Sequence, residues 1–278
     1  MQRKVTAELD LELGSSIDLI LQITAARTAP IRHEELTFRQ GDRLLAATEI
    51  VDATGSRLHR LQGTPGALQV RYEALVDAAA PSTPASELET ITYLRPSRYC
   101  QSDEVFAQAR RQFRGLSGHE LIAAVDDFVA TSTAYTPGFS QGTDSAVTTL
   151  ASGQGVCRDY AHLVIALLRA MDVPARYTAC YAPGLRPMDF HAVAEAYLDG
   201  AWYVIDATRL SNRRSLVRIA SGRDAADCAF LSYYGGHVGL ERMYVDAWTV
   251  SGGVVDTDPA TAASGLGDED PSLLLQLA

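Results

Sequence analysis

The chain has 278 residues, 47% hydrophobic and 21% charged. That is the balance of a folded globular protein, and it excludes disorder as a description of the whole. Acids outnumber bases 34 to 24 for a formal net charge of -10, which argues against nucleic-acid and anionic-membrane partners, since both reward a basic face.

No run reaches the roughly 18 apolar residues of a membrane span. The start, Met1-Gln2-Arg3-Lys4, lacks the apolar segment of a leader, so a cytoplasmic location is expected. Cys100, Cys157, Cys180 and Cys228 form no Cys-x-x-Cys pair and fit no zinc spacing. They are expected to be free thiols, with no metal and no cofactor.

In chain order, residues 5–13 alternate, with Val5, Ala7, Leu9, Leu11 and Leu13 set against Thr6, Glu8, Asp10 and Glu12. A period of two with one polar face predicts a strand. Further strands are predicted over Ile17–Thr24, Leu44–Val51, Arg57–Leu61 and Leu68–Val76, with glycine-bearing turns between them. Short strands at this spacing predict an antiparallel sandwich. Ala78–Ser86 reads as a proline-bearing linker and Leu88–Leu94 as a last strand.

From Asp103 the pattern turns helical. One helix is expected to Phe113, and another from Gly118 to about Ala130, with Ser117 and Glu120 at capping-box spacing. Leu150–Gly155 reads as a loop feeding a long helix from Cys157 to Met171, ended by Val173-Pro174. Strands Arg176–Tyr181, His191–Leu198 and Ala201–Ala207 follow. The fold class is α+β: a β-sandwich, then helices packed on an antiparallel sheet. The expected domains are 1–94, 95–250 and a small, acidic tail over 251–278, whose apolar end is able to dock or fray.

Cys157 opens its helix after Gly153-Gln154-Gly155-Val156 and is in phase with Ala161, Val164, Leu168 and Met171. A thiol at a helix N-terminus meets the positive end of the dipole and unpaired N–H groups, which favour the thiolate. Those N–H groups also suit an oxyanion. The competing reading is an inert core cysteine, and a partner base decides between the two.

Leu198-Asp199-Gly200-Ala201 predicts a two-residue hairpin. Leu198 then faces Ala201, Glu195 faces Val204, Val193 faces Asp206 and His191 faces Thr208. His191 and Asp206 become diagonal neighbours on one face, which the cysteine-bearing helix is expected to cover. Cysteine, histidine and carboxylate make a nucleophile, a base and an orienting group.

Three segments resemble the motifs of the transglutaminase-like cysteine hydrolase superfamily: Gly155-Val156-Cys157-Arg158-Asp159-Tyr160-Ala161-His162-Leu163, Phe190-His191-Ala192 and Asp206-Ala207-Thr208. The resemblance extends over about residues 95–250. More weakly, the β-rich start resembles the N-terminal domain of bacterial members. It implies a papain-like core with Cys157 as nucleophile, His191 as base and then acid, and Asp206 as orienting group. The implied reaction is amide cleavage through an acyl-thioester, with a peptide or protein amide as substrate. Transfer to an amine, as in a transglutaminase, is the alternative, and so is a non-catalytic binding module that keeps the fold.

Val193 stands where many members have an aromatic residue, and Ala207 where many have proline. The calcium of animal transglutaminases is not expected, because no acidic loop resembles a calcium site. Tyr135, Gln154 and Tyr160 are weaker candidates for the oxyanion or substrate site. His162 lies about 140° around the helix from Cys157 and reads as packing. Asp224 and Asp227 read as caps or ion-pair groups, and Cys180 and Cys228 as inert.

Overall fold

The computed structural model describes residues 2–77, 84–251, 254–255 and 275–277. Their elements in chain order begin with strands β1 (Gln2–Leu13), β2 (Ile17–Leu21), β3 (Ile31–Gln40), β4 (Arg43–Leu44), β5 (Thr48–Val51), β6 (Arg57–Gly63) and β7 (Gly66–Val76). A mainly helical stretch follows: α1 (Glu87–Thr92), α2 (Phe106–Gln112), α3 (Gly118–Ser132), β8 (Ala134–Tyr135), α4 (Ala146–Ser152), β9 (Gln154–Gly155) and α5 (Cys157–Ala170). The chain then forms β10 (Ala175–Tyr181), β11 (Phe190–Leu198), β12 (Ala201–Ile205), β13 (Val217–Gly222), β14 (Leu231–Tyr234), β15 (Val238–Ser251) and β16 (Val254–Val255).

The alternation in β1 buries Val5, Ala7, Leu9, Leu11 and Leu13 completely or nearly so. They face Ile17, Leu19 and Leu21 of β2 across the core of a sandwich. One sheet runs β16-β15-β1-β7-β3-β4 and the other β14-β2-β6-β5. A third sheet, β12-β11-β10-β13, carries the helices. Residues 159–170 of α5 are buried on every side, the mark of a helix enclosed by its neighbours. Its Arg169 is held by the carbonyls of Ala175, Arg95 and Arg223 at 2.7–3.0 Å.

Several elements differ from the sequence expectation. The strand β3 was not expected, because its sequence IRHEELTFRQ buries Phe38 alone. Its Glu34 instead pairs with the buried Arg57 at 2.7 Å. The expected strand over Leu44–Val51 divides into β4 and β5, which belong to different sheets. Leu88–Leu94 is not a strand: α1 forms there, started by a capping box between Ser86 and Glu89. The loop expected over Leu150–Gly155 is instead the end of α4, closed by Gly153 at φ +64°, followed by the short strand β9. Ser117 does precede α3, but its side chain makes no capping hydrogen bond.

The chain also returns to its start. β15 pairs antiparallel with β1 from Gln2↔Val250 to Leu13↔Val238, and β14 pairs with β2. Residues 95–250 therefore contain strands that complete the sandwich begun by residues 1–94, a nonlocal pairing that linear reading does not reveal. Sandwich and third sheet are knit together. Tyr181 donates its hydroxyl to the carbonyl of Ile23 at 2.6 Å, and the Ala26 N–H donates to the carbonyl of Arg218 at 2.8 Å.

Most of the expected linker and tail lies outside the described residues. Leu275 bridges Val204 at the edge of β12, and Leu277 is buried with Val193 and Val204. No helix among the described residues is long and apolar enough to cross a membrane.

Candidate active site

Cys157 is the first residue of α5, and local chemistry fixes that start. Asp159, almost fully buried, accepts the N–H of Val156 at 2.8 Å and so stops the helix from extending backward. Gly155 is required there, because a Cβ at its position would sit 2.6 Å from the Cβ of Asp159. Arg158 is drawn aside by Ser140 at 2.6 Å and by the Gln141 carbonyl. Cys157 itself is half-buried.

The hairpin between β11 and β12 has the register expected from its Asp-Gly turn, from Leu198↔Ala201 to Ala194↔Ile205. Pairing stops there. Asp206 to Arg209 turn instead, with the Arg209 N–H donating to the Asp206 carbonyl at 3.1 Å, and this swings Asp206 toward His191. His191 Nε2 lies 2.9 Å from Asp206 Oδ2, both side chains being almost wholly buried. Asp206 also accepts the Thr208 hydroxyl at 2.6 Å, the Thr208 N–H at 3.2 Å and the Ser211 hydroxyl. Sequence reasoning missed Ser211. The Asp206-Ala207-Thr208 spacing is that of an Asx turn, which was the available signal for Thr208.

The electrostatics follow from this geometry. Burial penalises a charged Asp206, but His191 and the hydroxyl donors outweigh it and bring the carboxyl down to about 2. Burial likewise opposes a charged His191, yet Asp206 foremost, with Cys157 helping, pushes the imidazole up to about 10. An ionised carboxylate only accepts, so the ring proton bonded to it sits on Nε2. Nδ1 is buried without a hydrogen-bond partner among the described residues.

Cys157 and His191 line one cleft of ≈ 480 Å³. They reach it in a way the sequence did not suggest. Helix α5 packs on the face of β11 that carries Ala192, Ala194 and Ala196, while Val193 turns to the opposite face with Leu277. Small alanines let the helix sit close, so the expected face is not the covered one. Nucleophile and imidazole meet at the cleft because Cys157 begins its helix and His191 stands near the start of its strand.

The weaker candidates separate. Burial foremost, and the Cys157 thiol, push the Tyr135 phenol up to about 12. Tyr160 is spent elsewhere: its hydroxyl donates to the Thr133 carbonyl. Gln154 accepts the Thr136 hydroxyl at 3.3 Å, and none of Tyr135, Gln154 and Tyr160 lines the cleft.

His162 is fully buried between the rings of Tyr99 and Tyr177, at 5.2 and 5.3 Å, and accepts the Ala225 N–H at 3.1 Å. Burial takes it well below the ordinary histidine range. Asp224 accepts the N–H groups of Tyr99 and Ala226, and Asp227 pairs with Arg223 at 2.8 Å. Cys180 and Cys228 are buried, which raises both thiols well above the ordinary range.

Residues 108–207 match the model of the transglutaminase-like superfamily. A solved structure of a candidate cysteine protease from Cytophaga hutchinsonii is 33% identical, with a TM-score of 0.81, over 93% of this chain and 92% of that one. An uncharacterized protein of Mycobacterium leprae is 26% identical over 145 residues, so the match spans 49% of this chain and 52% of that protein. A relative similar over nearly its whole length, together with the matched core, establishes the kinship: the chain belongs to the transglutaminase-like superfamily.

Proposed function

We propose that the protein is a cysteine-dependent amide hydrolase acting on a peptide or protein substrate through an acyl-thioester. The observation that carries this reading is the state of one imidazole. His191 has Nε2 tied to Asp206 and Nδ1 left without a partner, in the same cleft as Cys157. In this reading the proton of the Cys157 thiol already rests on Nδ1, giving the imidazolium–thiolate pair that an imidazole raised to about 10 favours, and the thiolate sulfur attacks the substrate carbonyl carbon. The carbonyl oxygen gathers negative charge near the N-terminus of α5, where the Cys157 N–H stands. The C–N bond then breaks, and Nδ1 returns its proton to the leaving amine. In the second half, His191 deprotonates water, which attacks the thioester and releases the acid and the thiol. Asp206 keeps the ring oriented and stabilises its charged form. Four free cysteines fit a reducing compartment, and we place the protein in the cytoplasm on that ground.

The test is the pH dependence of Cys157 alkylation by iodoacetamide, in wild type and in His191→Ala. The expected result is rapid labelling well below about pH 8, shifted or lost in the variant, together with hydrolysis of fluorogenic peptide amides. Labelling only near the ordinary thiol value of about 8.5, identical in both proteins, overturns the reading. Raising the concentration of an added amine then separates hydrolysis from transfer.

A further inference from the structure

The cleft has a wall that belongs to neither the catalytic helix nor the hairpin. β15 carries Ala247 and Val245 into the sandwich core, and the next residue in phase, Met243, emerges into the cleft, 37% exposed. Gln22, just past β2, stands on the same wall, and its backbone N–H donates to the Phe230 carbonyl at 3.0 Å. Phe230 in turn stacks on Phe190 at 5.6 Å, the residue before His191. Sandwich and catalytic sheet thus enclose an apolar space continuous with the nucleophile. Its volume lies within the roughly 300–1,000 Å³ typical of small-ligand sites. Of the charged groups lining it, Arg158 is occupied by Ser140 and Gln141, His191 is held by Asp206, and Asp189 is exposed.

We propose that this space is the acyl-donor subsite, that it takes an apolar or aromatic side chain adjoining the scissile carbonyl, and that Met243 and Phe230 determine that preference. The proposal rests on the hydrolase reading for the identity of the donor. Its physical reason is that an apolar side chain here leaves water for the faces of Phe190, Phe230 and Met243. A carboxamide or carboxylate side chain would lose hydration against the faces of Phe190, Phe230 and Met243. The Asp189 carboxylate adds repulsion against an acidic side chain. The sandwich is then a specificity element built into the enzyme.

The experiment compares the rates at which Cys157 is alkylated by three chloroacetamides of the intact chain, carrying phenethyl, carbamoylethyl or carboxyethyl on the amide nitrogen. It is run at about pH 9.5, where an accessible thiol ionises with or without help from His191. The ratio therefore reads the pocket, while the pH profile described above reads the Cys157–His191 pair. Labelling is followed by intact mass, with Cys157→Ser as the blank. The phenethyl reagent is expected to react at least about tenfold faster than the carbamoylethyl one, with the carboxyethyl reagent slowest. Met243→Ser, a change at a partly exposed position, and Phe230→Ala should each bring the first ratio toward one. Equal rates in wild type, an unchanged ratio in both variants, or failure of all three reagents to reach Cys157 would each overturn the proposal.

Discussion

Two buried carboxylates stand on the hairpin of the third sheet, and they are used in opposite ways. Asp206 is bonded to a histidine whose other nitrogen has no partner among the described residues. Glu195, four residues along β11 from His191, is bonded to Arg176 at 2.9 Å, Arg218 at 2.7 and 2.8 Å and Thr178 at 2.6 Å. Both carboxyls are held down to about 2: burial opposes the charge, and the cationic partners overcome it. The difference lies in the partner. A guanidinium keeps its protons and offers no acceptor, so the Glu195 cluster has no route for proton transfer. An imidazole exchanges a proton on either nitrogen. The same electrostatic device therefore gives a closed structural knot in one place and, where a histidine reaches a cleft, a group fit for acid–base work. Arg176 also lies 4.0 Å over the ring of Trp202, which seals the knot further.

The largest expected effect breaks the Asp206 side. Cys157→Ala and His191→Ala should abolish amide hydrolysis. Asp206→Asn should lower kcat by about 10³–10⁴-fold, because the neutral amide no longer favours the charged ring or its Nε2–H form. Fluorogenic peptide hydrolysis measures both, and folding is checked by the unfolding midpoint. An Asp206→Asn enzyme with near-normal kcat would mean that the pair serves stability alone. The contrasting change is Glu195→Gln. Removing that charge leaves Arg218 buried without this counter-ion and Arg176 with only Glu89 at 3.9 Å, and should cost about 3–5 kcal/mol of stability. The reactivity of Cys157 in the folded fraction should stay as in wild type. Chemical denaturation reads the first effect and alkylation kinetics the second.

This contrast marks how much was legible in the sequence. The Asp-Gly turn fixed the hairpin register as far as Ala194↔Ile205, because pairing across a tight turn is local, but the expected pairs Val193–Asp206 and His191–Thr208 do not form, and it is the turn after Ile205 that carries Asp206 to His191. The position of Cys157 at a helix start was legible for the same reason. The Glu195 knot was not: its arginines come from β10 and β13, and no periodicity announces which buried charge will meet which. The covered face of β11 was not legible, because alternation marks both faces alike and only packing shows that the alanines on the even-numbered side admit the helix. The partner of Tyr160 was not legible either, because a phenol near a nucleophile in sequence says nothing about where its hydroxyl finds an acceptor. The return of β15 to β1 was hidden by more than 220 intervening positions, and with it the cleft wall at Met243.

The smallest expected effect sharpens the comparison through pH. His191 is raised in the folded protein from about 6.5 to about 10. Its contribution to stability is therefore fully present below about pH 6.5 and lost as pH rises through about 10. Glu195 and Asp206 are lowered, so theirs is present above roughly pH 4 and lost as pH falls through about 2. Wild type should thus lose stability on both sides of a plateau, by at most a few kcal/mol on the alkaline side. In His191→Ala the alkaline decline attributable to this ring should vanish while the acid decline due to Glu195 persists. In Glu195→Gln the acid decline should shrink and the alkaline one remain. Urea midpoints measured between pH 3 and 10 on the three proteins separate the two carboxylates. Parallel curves in all three would show that neither cluster is linked to folding through protons, and would remove the ground for treating the Asp206–His191 pair as poised for proton transfer.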